Sequence, residues 1–230
     1  MTADLAAATS PSLPAGPTVL VPVGSIEQHG PHLPLDTDTV IATEVATRAA
    51  ETLVAEGASV LVAPALSYGS SGEHQDFPGT SSIGTSVLHD VVVELTRSMR
   101  TWASRVVLVN AHGGNVAALR GAVRQLVDEG HDVAWVACAT EEVDLHAGRT
   151  ETSLMLHLRP AAVRLDRAEP GNTGSLGELL PLMMAGGVKA VSPNGVLGDP
   201  AGASAEEGAA VLAAMVGDVV AALGGGGGTP

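Results

Sequence analysis

Five side chains that can bind a divalent cation stand in one short stretch, SIEQHGPHLPLDTD (Ser25–Asp38): Glu27, His29, His32, Asp36 and Asp38. Glu27 and His29 are two residues apart, so on an extended segment they point the same way. Pro31 and Pro34 stiffen the loop and lower the entropic cost of holding ligands in place. Asp38 opens a helical-looking segment, where its carboxylate either caps the helix or binds a metal. Alone, Glu27 reads as a surface Glu and His29 as a satisfied loop His. Together, in a loop punctuated by Gly and Pro, the three favour a metal. His32 and Asp36 are expected either to orient the ligands from behind or to be structural.

Three further stretches carry the same chemistry. In NAHGGN (110–115), His112 is followed by Gly113, Gly114 and Asn115. The glycines allow close backbone approach to a ligand, and the next helix offers free N–H groups to an anion. A plain strand-to-helix turn is the ordinary alternative. In HAGRTETS (146–153), His146 and Glu151 flank a turn at Gly148, although a Glu in the first turn of a helix is also a common dipole partner. In GSSGEHQDFPGT (69–80), Glu73 and His74 either meet substrate or are solvated. About four or five carboxylate and imidazole ligands, with no thiolate, suit Zn²⁺, Fe²⁺ or Mn²⁺. That is too many for one closed tetrahedral site. The expectation is two divalent ions bridged by an Asp and a water, which would acidify the water and polarise a carbonyl. A nearby His would carry the proton to a leaving nitrogen.

Other chemistries are weaker. Cys138 lies in an apolar, strand-like run and reads as a structural thiol. The chain has no G-x-S-x-G elbow and no phosphate-binding loop.

The elements that must position these residues alternate along the chain. Apolar runs at 18–23, 58–64, 104–111 and 131–139 read as buried strands. Helical patterns occupy 39–57, 85–103, 115–130, 150–158 and 204–223. Continuous apolar strands between amphipathic helices predict an α/β fold with a mostly parallel sheet covered on both faces. Such sheets gather their sites at the carboxyl ends of the strands, which is where the reactive loops fall.

Composition narrows the function. The 230 residues include 45% hydrophobic and only 2% aromatic side chains, so the core must be built from Ala, Val and Leu. That length suits one domain, expected over 18–223, with a flexible arm at 1–17 and a disordered Gly-rich tail at 224–230. A net charge of −14 argues against nucleic-acid binding. A single cysteine, no signal-like N-terminus and no run approaching a membrane span lead to the expectation of a cytoplasmic protein with no membrane partner.

GSIEQHGPHLPLDTD, EHQDFPGT, NAHGGN and HAGRTETSLML resemble the signature blocks of the creatininase (creatinine amidohydrolase) family, in order, across roughly residues 18–165. The resemblance implies a three-layer α/β/α sandwich, a dinuclear metal site and hydrolysis of an amide-type C–N bond. It implies Glu27 and His112 as ligands of one metal, His29 as a ligand of the other, Asp38 as the bridge and His146 as the catalytic histidine. One position departs from the family: Gly114 stands where creatininases carry a metal-binding Glu, and Glu151 is nominated to supply the second metal. The segments 164–173 and 190–204 are similar to the mycofactocin-system branch of the family. That branch implies a modified ribosomal precursor peptide as substrate, cut ahead of its modified C-terminal Val–Tyr pair to release a pyrrolidinone. The loops 69–80 and 190–204 are the expected mouth for it. The family also implies a homo-oligomer, a hexamer or octamer. Two alternatives stand beside this reading: another amidohydrolase on the same site, such as a lactam hydrolase or deformylase, and a non-catalytic metal-binding scaffold.

Overall fold

The computed structural model describes residues 3–139 and 144–224. The expected tail at 225–230 lies outside the described residues.

Four strands, β1 (Thr18–Val23), β2 (Val60–Val62), β3 (Arg105–Asn110) and β4 (Val133–Ala137), form one sheet in the order β2-β1-β3-β4. Every pairing is parallel. Parallel strands need crossovers, and helices α1 (Thr37–Ala55), α2 (Thr85–Met99) and α3 (Val116–Asp128) provide them. α4 (Arg149–Leu158), α5 (Leu176–Val191) and α6 (Ala205–Gly224) follow the sheet.

Alternation along the strands sorts the core into two layers. Val19, Val21, Val23, Val106 and Leu108 face α2 and α3, meeting Leu88, Val92, Leu119 and Leu126. Leu20, Val62, Val107 and Val109 face the other way, against Ile41 and Val45 of α1, Leu154 of α4 and Leu212 of α6. The result is the expected three-layer α/β/α sandwich, with a sheet that is wholly parallel. Its core is aliphatic, as the scarcity of aromatics requires.

Three differences from the sequence reading are physical. First, the arm is tied down where it meets the sheet: the Leu5 N–H donates to the Val62 carbonyl at 2.9 Å and the Val62 N–H to the Ala3 carbonyl at 2.6 Å, covering the outer edge of β2. Second, α6 is by length and composition long enough to cross a membrane, with a mean hydropathy of 1.6, against the expectation that no run approaches a span. Its Gly208, Leu212, Met215 and Val219 recur at helical spacing and are buried against the protein core. Gly224, expected in the tail, is the last residue of this helix. Third, α5 was not anticipated. Pro181 lies inside it, and Gly187, with φ 70°, kinks it, so the sequence reads as broken.

Candidate active site

β1 is central, with β2 on one side and β3 on the other. The loops that leave the carboxyl ends of β1 and β3 therefore part at a topological switch point, the place where open parallel sheets hold ligands. Glu27, His29 and Asp38 come from the segment after β1, and His112 from the turn after β3. Glu73 and His74 reach the same place from a short turn between β2 and α2. His146 and Glu151 arrive at the start of α4. Ala147, a non-glycine residue at φ 53°, turns the chain between those two. Its N–H donates to Glu151 Oε2 at 2.6 Å.

The centre of the cluster is buried and acidic. Asp38 Oδ1 lies 3.0 Å from His29 Nε2, and Asp38 Oδ2 lies 3.4 Å from His112 Nδ1. Its two oxygens thus face two different imidazoles. Asp38 caps nothing: the N-cap position of α1 is Asp36, and Asp38 Oδ2 accepts instead from the Ser25 hydroxyl at 2.7 Å. Glu27 Oε2 is 3.2 Å from His112 Nε2, and Glu27 Oε1 is 3.3 Å from His74 Nε2 and 3.6 Å from His146 Nδ1. Glu151 Oε2 is 3.9 Å from His29 Nε2, and Glu73 Oε1 is 3.6 Å from His112 Nε2.

Two sets of three side chains could each hold an ion on opposite sides of Asp38. Glu27, Asp38 and His112 present ligand atoms within 4.8 Å of one another, and so do His29, His146 and Glu151. Glu27, His74 and His146 make a third such set, overlapping both. The donor chemistry fits a divalent cation on a separate ground: both Glu27 oxygens are fully buried and accept no well-aligned hydrogen bond, although imidazole nitrogens stand 3.2 and 3.3 Å away. A buried carboxylate so poorly served by donors is costly, and a cation is a partner that would satisfy it.

Hydrogen bonds behind the imidazoles fix their faces. The His29 Nδ1 side meets the Glu27 carbonyl at 3.1 Å, which leaves Nε2 to face Asp38 and Glu151. His146 Nε2 meets the Gln28 carbonyl at 2.8 Å, leaving Nδ1 toward Glu27. The Gln28 side-chain amide lies 2.8 Å from His74 Nδ1 and donates to the Gly195 carbonyl at 3.0 Å. Sequence reasoning missed Gln28, because a glutamine is neither a ligand nor a nucleophile. Its place between Glu27 and His29 was the available signal.

The titration of these groups follows from the geometry. Burial raises Glu27 to about 7, with His112 opposing and Asp38 adding to the rise. Burial alone would lower His29, but the Asp38 carboxylate and its hydrogen bond prevail and hold it at about 10. Asp38 is pushed up by burial and pulled down further by His29, ending below its ordinary range. Burial and the neighbouring His112 lower His74 to about 3. Burial and the neighbouring His29 push His146 well below the usual imidazole range. His74 and His146 are therefore neutral near pH 7, with a lone pair each.

Not every expected residue joins the cluster. Asp36 follows the structural alternative: it sits at the start of α1, in an ion pair with Arg159 at 3.0 Å. His32 is buried but turns toward α4, with Nε2 2.8 Å from the Thr152 hydroxyl, beside Glu151 rather than at the centre. Asn115 is structural: it donates to the Gly24 carbonyl at 2.9 Å and accepts the Ser70 N–H at 2.8 Å, tying three loops together. Gly113 and Gly114 line the cavity. A Cβ at Gly114 would overlap the Ser70 carbonyl, the Glu73 carboxylate and the His112 ring. The space a larger residue would need at 114 is thus already held by Glu73.

A cavity of about 460 Å³ opens over the cluster, with Asp38, His112, His146 and Glu151 at its floor. Of the expected mouth, the 69–80 loop contributes Glu73 and His74, and the 190–204 loop contributes Leu197. Leu197 is joined to His146 by backbone hydrogen bonds of 2.8 and 3.1 Å.

The chain is 53% identical to a mycofactocin precursor peptide peptidase of Mycobacterium ulcerans (strain Agy99), over 96% of this chain and 90% of that one. It is 55% identical to the protein of that description from Mycolicibacterium smegmatis, over 87% of this chain and 81% of the other. A solved creatinine amidohydrolase (creatininase) superposes with a TM-score of 0.76 at 28% identity, covering 97% of both chains. Related creatininase structures are described as a manganese form and, for a variant, a zinc–zinc form. The family model described as creatinine amidohydrolase matches residues 4–223, and the chain belongs to the creatininase family.

Proposed function

We propose that this chain is a metal-dependent peptidase acting on the mycofactocin precursor peptide. It hydrolyses the peptide bond ahead of the modified C-terminal Val–Tyr pair and releases a pyrrolidinone product. The relatives above half identity support the substrate. The observation that carries the hydrolytic reading is Glu27, a buried carboxylate with no well-aligned hydrogen bond to either oxygen, beside three imidazoles.

Glu27, Asp38 and His112 would hold one divalent cation, and His29, Asp38 and Glu151 the other, with Asp38 shared through its two oxygens. Fe²⁺, Zn²⁺ and Mn²⁺ all suit these donors. When bound, such a pair supplies Lewis acidity toward the amide carbonyl and acidifies a water. The protein's own groups do the rest. The Glu27 carbonyl holds the His29 ring, and the Ser25 hydroxyl holds Asp38. His146, kept neutral by burial and steadied at Nε2 by the Gln28 carbonyl, takes a proton at Nδ1 and delivers it to the leaving nitrogen. Glu151 stands in for the carboxylate that Gly114 cannot provide, and Glu73 adds a second from the other side. The protein works as a homo-oligomer in the cytoplasm, where its single cysteine stays reduced.

Anaerobic purification, elemental analysis and incubation with the radical-modified precursor peptide test this together. The expected result is about two metals per chain and a released C-terminal fragment in the mass spectrum, lost on chelation. Two metals without cleavage would leave an amidohydrolase with another substrate. Metal-free protein that no added cation activates would sink the reading.

A further inference from the structure

The cavity above the cluster has two chemically different halves. Its floor is acidic and imidazole-rich. Its wall is apolar: Leu176, Leu180, Met183 and Met184 of α5, with Leu145 and Leu197. Leu176, Leu180 and Met184 recur every four residues, so they share one face of the helix. They are 49%, 44% and 81% exposed, an unusual density of uncovered large apolar side chains beside a catalytic cluster. No lysine or arginine lines the cavity among the described residues, while Asp38, Glu73 and Glu151 do. A cavity of about 460 Å³ is in the range that encloses a small organic group.

Both ends of this wall are fixed. At its start, Glu178 accepts from the Ser175 hydroxyl at 2.7 Å and from its N–H at 2.9 Å. At its far end, Lys189 Nζ donates to the Asp76 carbonyl at 3.1 Å. Gly187 passes so close to the Glu73 carbonyl that a Cβ there would lie 3.0 Å from it. The apolar wall and the turn that carries Glu73 and His74 are therefore built against each other.

We propose that the α5 wall is a specificity subsite for an uncharged apolar or aromatic side chain next to the scissile amide. It rests on the peptidase reading and names what selects the peptide. With no lysine or arginine lining the cavity among the described residues, nothing in the wall would pair with an acidic substituent. The unbranched methionines let the wall adapt to a chemically altered side chain. Leu182, 57% exposed on the same helix, does not line the cavity and serves as the control.

The test is a calorimetric titration of the zinc-loaded full-length chain with two probes, N-acetyl-Val-Tyr-amide and N-acetyl-Ser-Gln-amide. The native chain is expected to bind the apolar probe about tenfold more tightly or better, the gain from burying one large side chain. The double variant Leu180→Ser/Met184→Ser should lose that preference, and Leu182→Ser should keep it, all with equal metal content. These substitutions are at exposed positions, so the fold is retained. Equal affinity for the two probes, no binding of either, or a preference that survives the double substitution overturns the proposal. So does a double variant that changes only its sedimentation, which would make the wall a contact between copies of the chain. Failure of the peptidase reading looks different: the modified precursor peptide stays intact, and the titration alone then decides the subsite.

Discussion

The loop after β1 and the helix α5 line the same cavity and are built on opposite principles. Around the loop from Ser25 to Asp38, the reactive groups of the cluster are buried, and apart from the Glu27 carboxylate they are held by neighbours: the Ser25 hydroxyl on Asp38, the Glu27 carbonyl on His29, the Gln28 carbonyl on His146. In α5 the groups facing the cavity are apolar and mostly exposed, while the helix is seated through Leu179, Met183 and Val188 against Leu197 and Phe77. A buried polar network tolerates little change, because any lost partner strands a neighbour without water. An exposed apolar face tolerates substitution and alters affinity instead. Chemistry is thus placed on the carboxyl end of a parallel sheet, and the proposed selection on a helix kinked at Gly187.

Substitutions in the two regions should separate accordingly. The largest effect is expected at Asp38, which faces both proposed ion sites. Asp38→Ala should cut kcat/KM by ~10³-fold or more and remove at least one of the two metals, as elemental analysis would show. Retention of both metals would break the assignment of Asp38 as the shared ligand.

Next is Glu27, where activity and stability should move in opposite directions. Glu27→Gln should lower activity by ~10²-fold or more, yet stabilise the metal-free fold above neutral pH. Glu27 is raised to about 7 from its ordinary 4.5, so its buried charge destabilises the metal-free protein as pH climbs from 4.5 through 7. His29 adds to the trend: its stabilising contribution is complete below its ordinary 6.5 and fades as pH rises through 10. The thermal midpoint gained on loading with cation should therefore grow between pH 5.5 and 8.5 by several degrees. A Glu27→Gln protein with the same pH profile as the parent would contradict this.

A smaller change is expected at Gln28, a positioning residue that touches His74 and, through its backbone carbonyl, steadies His146. Gln28→Ala should lower kcat roughly tenfold and leave KM and metal content near the parent values. A loss confined to KM would place it among the substrate contacts instead. The smallest effect belongs to Arg159→Ala, which breaks only the surface pair with Asp36. It should change stability by about 0.5 kcal/mol or less in denaturant unfolding and leave turnover untouched.

What the sequence made legible follows the same division. The strands at 18–23 and 104–111 and the helices that cover them could be read because continuous Val/Leu runs and helical periodicity both point to one architecture. Glu27, His29 and Asp38 stood out together because three such side chains crowd one Gly- and Pro-punctuated stretch, whereas His112, His146 and Glu151 were candidates with ordinary alternatives whose roles leaned on the family resemblance. Asp36 could be left only as supporting or structural, because spacing does not reveal that this helix start faces Arg159, 123 residues away. Gln28 was invisible as a residue type. α5 was hidden by Pro181 and the Gly186–Gly187 pair, although Ser175 and Glu178 form the capping box that marks a helix start. The arm's pairing with β2 depends on a long-range contact that no local pattern encodes.

Metal titration of the native chain and of Glu27→Gln, followed calorimetrically from pH 5.5 to 8.5, tests the central claim most directly. Two cations per native chain are predicted. Their apparent affinity should rise with pH as Glu27 and His29 release protons, and one site should be weakened by at least tenfold in the variant. Binding that is absent in the native chain, or equal in the two proteins and flat with pH, would contradict the assignment of this buried cluster as a metal centre.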